Sequence, residues 1–114
     1  MIFDQLSFHD AAILKVVEES STQTLDFYLD FPLDWEQGIF EHRILRFRNA
    51  IYYAKQEIPF SGAPTILEIR ESQLEKHVYR LADGTILTSQ YKVEMETNCG
   101  RWTIEYDSAE LLGP

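Results

Sequence analysis

The stretch Thr24-Leu25-Asp26-Phe27-Tyr28-Leu29-Asp30-Phe31 decides the fold. Leu25, Phe27, Leu29 and Phe31 fall on one side of an alternation of period two, and Thr24, Asp26, Tyr28 and Asp30 on the other. That is the pattern of a strand with one face in a core and one in water. Pro32 follows; it has no backbone N–H to offer a neighbouring strand and is expected to end the run. Upstream, residues 12–19 are rich in β-branched and apolar side chains, and Glu19-Ser20-Ser21-Thr22 supplies a polar turn. The two runs together read as a first hairpin.

Working outward, the same period recurs. Residues 91–97 and 102–106 alternate, with Asn98-Cys99-Gly100 between them; Asn and Gly tolerate the positive φ of tight hairpin loops. Ala82-Asp83-Gly84-Thr85 joins a run at 77–81 to one at 86–89, because Asp-Gly is a strong two-residue hairpin signal. Residues 44–53 place Leu45, Phe47, Ile51 and Tyr53 in step, and residues 65–71 place Leu67 and Ile69 in step, so both read as strands. Residues 32–38 read as a longer polar loop, and Phe60-Ser61-Gly62-Ala63-Pro64 is turn chemistry. Residues 67–78 also hold good helix formers with an apolar spacing that fits neither period, so strand and helix stay open there.

The sum is about seven short strands, at most one short helix, and no interleaved helices of the length a parallel sheet requires. The expected fold is mainly β, an antiparallel sandwich or partly open barrel, in one domain over residues 1–114. Of the 114 residues, 45% are hydrophobic and 13% aromatic, enough to pack a core. No repeats or linkers interrupt them. A strand-built domain also has edges, where a second copy or a partner can add.

The 19 acidic against 10 basic residues leave a net charge of -9, spread evenly along the chain. Such a surface repels phosphate backbones, and the one local concentration of positive charge, Arg43, Arg46 and Arg48, is of the kind that pairs with neighbouring carboxylates. Nucleic acid and membrane are not the expected partners. Cys99 is the only cysteine, so an intrachain disulfide and a four-cysteine zinc site are excluded. The opening residues include Asp4 and lack the basic and apolar regions of a secretory signal, and no run approaches a membrane span. A reducing, cytoplasmic setting is expected.

Few residues carry recognisable chemistry. There is no Gly-x-Gly, no serine framed as a nucleophile elbow, no His-x-x-x-His and no Cys-x-x-Cys. No catalytic residue, metal or cofactor is assigned. A site drawn from His9, His42, His77 and Cys99 has no supporting local spacing, and nothing near Cys99 in sequence would lower its pKa. His9 and Asp10 form the first polar pair. On a strand neighbours point oppositely, and on a helix they diverge by about 100°, so the two are not expected to form a hydrogen-bonded dyad. In the structural account Asp10 organises the turn into the first strand and His9 makes one hydrogen bond; in the functional account both join groups distant in sequence. The second candidate is Trp35 among Asp30, Asp34 and Glu36. An aromatic ringed by acids suits a partner-binding patch that selects a basic protein, whereas a solvated loop with Trp35 folded onto the core explains the same residues without function.

The order of features resembles a group of small bacterial proteins of uncharacterised function that open on a His-Asp-Ala segment. The matching parts are Phe8-His9-Asp10-Ala11, Leu25-Asp26-Phe27-Tyr28-Leu29, Ile44-Leu45-Arg46-Phe47, Ile66-Leu67-Glu68-Ile69-Arg70, and Val93-Glu94-Met95-Glu96 with Trp102-Thr103-Ile104-Glu105. Some proteins of this appearance are grouped with bacterial immunity proteins, which neutralise a toxin by binding it. The resemblance implies a β-rich fold and an inhibitory binding role, and carries no catalytic residues over. The expected function is a non-enzymatic protein-binding module of the immunity type. The alternatives are a small hydrolase or metal-dependent enzyme using His9 and Asp10, and a structural homo-oligomer, such as a homodimer, joined through edge strands.

Overall fold

A computed structural model of the chain describes residues 2–34, 36–58 and 62–113, with side chains described at all of these except 75–77, 79 and 87–89. Among the described residues a short helix α1 (Ile2–Gln5) precedes eight strands: β1 (Ala12–Glu19), β2 (Thr24–Asp34), β3 (Ile39–Arg48), β4 (Tyr52–Glu57), β5 (Ile66–Arg80), β6 (Ile86–Thr97), β7 (Gly100–Tyr106) and β8 (Ser108–Leu112). They form two four-stranded antiparallel sheets, ordered β1-β2-β3-β8 and β4-β7-β6-β5. The architecture is the expected β-sandwich, and neither sheet closes into a barrel. No helix among the described residues is long and apolar enough to cross a membrane.

The period-two reading of β2 sets the core. Leu25, Phe27 and Leu29 are buried, and their β3 partners Phe47 and Leu45 extend the same inner face. From the other sheet Val93, Met95, Trp102, Ile104 and Tyr106 complete the interior. The Phe27 ring meets the edge of Trp102 with centroids 5.1 Å apart, and Phe47 meets Tyr106 at 4.9 Å. Edge-to-face pairs of this kind add to the burial of two large rings and lock one sheet against the other. Along one side of the sandwich Phe3 of α1 stacks on Phe47 at 6.1 Å. The helix thereby roofs the gap between β8 and β5.

Several local expectations are corrected. Residues 44–53 are not one strand: Asn49 adopts φ 50°, and the chain leaves β3 at Arg48 to begin β4 in the opposite sheet. The alternation hid this break because both halves keep an inward face. Pro32 does not end β2, which continues to Asp34. It lies beyond the last β1 pair, Ala12↔Asp30, and beside a bulge, where a missing N–H is tolerated. Residues 67–78 are strand, because β6 pairs with them along most of their length, with shifts in register at Leu67 and between Gln73 and His77. Strand β8 and helix α1 were not anticipated, since the short segments 108–112 and 2–5 carry no clear period.

The turns keep their chemistry but shift in detail. At Ala82–Gly84 the Leu81 N–H reaches the Thr85 carbonyl at 2.8 Å and Gly84 takes φ 89°, a three-residue loop in place of a two-residue one. The Thr85 N–H donates to Asp83 Oδ1 at 2.9 Å, and this bond holds the carboxyl below its ordinary range. At Asn98-Cys99 the positive φ falls on Gly100, while Asn98 ties down the start of β5 by accepting the Thr65 N–H at 3.0 Å.

Candidate functional site

The two sheets end differently. Beyond Asp30, β2 has lost β1 as a neighbour and pairs only with β3, through Pro32↔Phe40 and Asp34↔Ile39. The hairpin tip is shaped by Gly38 at φ 67° and by Asp34 Oδ1, which accepts the Gln37 N–H at 3.1 Å. Leu33, Ile39 and Phe40 are 55%, 46% and 46% exposed there. Sequence reasoning missed these three. They sit within or beside a segment read as a polar loop, and the only signal was the adjacent apolar pair Ile39-Phe40, which has no period of its own.

The acids foreseen at this end divide. Asp30 Oδ1 lies 3.2 Å from His42 Nε2 across the β2–β3 register, so it faces a cation whenever His42 is protonated. Asp34 caps its own turn and Glu36 is exposed. Trp35 lies outside the described residues.

His9 and Asp10 arrive at the same end from the N-terminal segment. Phe8 is buried and meets Phe31 edge-on at 5.4 Å, which anchors the turn that follows. The turn closes with the Ala11 N–H on the Phe8 carbonyl at 3.0 Å, Asp10 in the left-handed region at φ 69°, and the Asp10 N–H on the Ile66 carbonyl at 2.8 Å. This conformation corrects the expectation that the two side chains point apart. Neither strand nor helix applies, and His9 Nε2 sits 3.6 Å from Asp10 Oδ2, within ion-pair reach and beyond a normal hydrogen bond. His9 Nδ1 donates to the Leu67 carbonyl at 2.9 Å, which assigns the proton to Nδ1 because a carbonyl only accepts. His9, Ser7, Pro32 and Leu33 line a surface depression of about 300 Å³. The fold therefore brings His9 beside Pro32 and Leu33, more than twenty positions along the chain.

No three His, Cys, Asp or Glu side chains gather as metal ligands among the described residues. The His77 side chain lies outside the described ones, His42 faces Asp30, and Cys99 is buried at the β6–β7 turn, its N–H on Thr97 Oγ1 at 3.2 Å. The arginines of β3 are each matched: Arg43 to Glu41, Arg46 to Asp26 through two bonds of 2.9 Å, and Arg48 to Glu110 at 2.8 Å.

A second concavity of about 460 Å³ runs between the free edges of β1 and β4, over Trp102. Its polar groups already answer one another. The Tyr53 hydroxyl donates to Glu18 Oε2 at 2.7 Å, a bond that is the largest cause of its raised pKa. Lys55 Nζ lies 4.9 Å above the Trp102 ring and 2.7 Å from Glu57. The chain matches no protein-family model and no curated protein.

Proposed function

We propose that this chain is a non-enzymatic protein-binding module that presents its β2–β3 end to a partner. Within that role we read it as an immunity-type inhibitor of a basic toxin. One observation carries the reading: Leu33, Ile39 and Phe40 are each exposed at the end of the paired β2–β3 hairpin, beside Asp34 and Glu36. Apolar side chains held on paired strands lose little further freedom on binding, while surrounding carboxylates steer a cationic surface and reject an anionic one. The net charge of -9 acts in the same direction over longer range.

The test is affinity capture from the native cell with the wild-type chain and with a Leu33→Ser, Ile39→Ser, Phe40→Ser variant. A basic protein retained by the first and released by the second is the expected result. Equal retention by both removes the assignment.

The hydrolase reading draws support from His9, whose Nε2 remains at the surface near Asp10, with Ser7 lining the same depression. It requires turnover of an ester or phosphoester by the purified chain that His9→Asn abolishes. Turnover that survives His9→Asn ends that reading.

A further inference from the structure

We propose that the cavity beneath α1 binds an organic ammonium group. The cavity measures about 270 Å³, and its lining includes Phe3 of α1, Glu71 of β5, Tyr91 of β6, and Asp107 and Ser108 at the turn into β8. These residues come from both sheets and the helix, so the tertiary fold alone assembles them.

Two carboxylates of this cavity lack a cation. Asp26, Glu41, Glu57, Glu94, Glu96 and Glu110, on the sheet surfaces, each lie within 4.0 Å of an arginine or lysine. Glu71 and Asp107 have only neutral donors among the described residues: Glu71 Oε2 accepts the Tyr106 hydroxyl, and Asp107 Oδ1 accepts Gln90 Nε2 at 2.9 Å. Each donor fixes its carboxylate and leaves Glu71 Oε1 and Asp107 Oδ2 without a described partner. The site is a concave surface carrying two unbalanced negative charges. In the groove between β1 and β4 Glu18 likewise has the neutral Tyr53 hydroxyl as its donor, but Lys15 and Lys55 line the same groove and Lys55 lies 2.7 Å from Glu57.

The remaining wall chooses the cation. Tyr91 lies against Tyr106 with centroids 5.9 Å apart, and Phe3 is held between Phe8 and Phe47. Aromatic faces attract an ammonium through the ring quadrupole and favour one with a poorly hydrated, carbon-rich shell. A divalent metal would need six or more oxygen ligands and gains nothing from aromatic walls. The volume lies at the small end of ligand pockets, sized for an alkylammonium or choline-like group and too small for a nucleotide.

The experiment is a titration of the isotope-labelled chain followed by amide NMR, with choline and n-butylammonium as probes and 3,3-dimethylbutan-1-ol as the uncharged isostere of choline. Saturable shifts at Phe3, Glu71, Tyr91 and residues 107–109 are expected with one or both ammonium probes and absent with the alcohol. Glu71→Gln and Asp107→Asn keep the hydrogen-bond acceptors and remove the charges. Each is expected to weaken binding about tenfold or more, as loss of a nearby opposite charge in a partly desolvated site requires. If Glu71→Gln disturbs folding through Tyr106, Asp107→Asn, in a surface turn, carries the comparison. The proposal is overturned by no saturable shift at these amides, by equal response to the alcohol, or by unchanged affinity in a folded Asp107→Asn chain.

Discussion

Gly100 opens β7 so close to the backbone of Gln56 on β4 that a Cβ built on it would lie 1.9 Å from the Gln56 carbonyl oxygen. The close approach belongs to the β4–β7 ladder, where Glu57 pairs with Gly100 and the Ile58 N–H reaches the Cys99 carbonyl at 2.8 Å. Backbone atoms cannot swing aside as a flexible side chain would. Gly100 also has φ 142°, where side-chain-bearing residues are strained. Gly100→Ala is therefore expected to destabilise the chain by roughly 3 kcal/mol or more, read as a lower denaturant midpoint with an unchanged slope. Unaltered stability would mean that β4 does not lie against β7 as described.

Asp26 projects from the outer face of β2 yet is only 7% exposed, because Arg46 covers it and holds both carboxylate oxygens at 2.9 Å. Removing the arginine alone leaves a shielded carboxylate without its cation, and removing both partners does not. In a double-mutant cycle Arg46→Met should cost more in the presence of Asp26 than in an Asp26→Asn background. Equal costs in both backgrounds would show the pair to be uncoupled.

Alkaline pH should loosen the fold from a defined place. Burial, followed by the hydrogen bond to Glu71, raises the Tyr106 pKa well above its ordinary value near 10, and the bond to Glu18 raises Tyr53 less strongly. Above about pH 10 the unfolded chain releases phenolic protons that the folded chain keeps. The unfolded state then binds fewer protons, so stability falls as pH rises, whereas below pH 10 this contribution is fully present. Denaturation midpoints measured from pH 8 to 11 should drop, and Tyr106→Phe, although less stable at neutral pH, should show a shallower decline. An equally steep decline would place the sensitivity elsewhere.

The β2–β3 tip should separate binding from stability. Leu33, Ile39 and Phe40 are half exposed already, so Phe40→Ser or Ile39→Ser should move unfolding free energy by about 0.5 kcal/mol or less. Against a partner seated there, an apolar anchor residue is worth about 2 kcal/mol, which is a roughly thirtyfold weaker Kd. Titration calorimetry together with thermal unfolding reads both quantities. A variant that loses binding only because it unfolds would contradict the assignment.

Much of the fold was legible because alternation is a local property. Leu25, Phe27 and Leu29 declare the inner face of β2 within eight residues, and Asp83-Gly84 and Asn98-Cys99-Gly100 mark real hairpins. What alternation does not encode is which sheet a strand joins. Residues 44–53 keep one phase while the chain crosses between sheets at Asn49, and 108–112 becomes β8 only because β3 offers it a free edge.

The candidate sites divide in the same way. Strand period, aromatic core, acidic surface and turn residues are all readable along the chain, since each depends on side-chain character and near neighbours. Tertiary structure alone decided that Asp10 would turn back toward His9, that the pair would share an end with Pro32 and Leu33, and that Ile39 and Phe40 would stay uncovered. It also set Glu71 of β5 and Asp107 of the β7–β8 turn around one cavity. The physical reason is common to all four. Each relation depends on contacts between residues distant along the chain, whose geometry is fixed only when two sheets pack and their edges and ends are left open or closed.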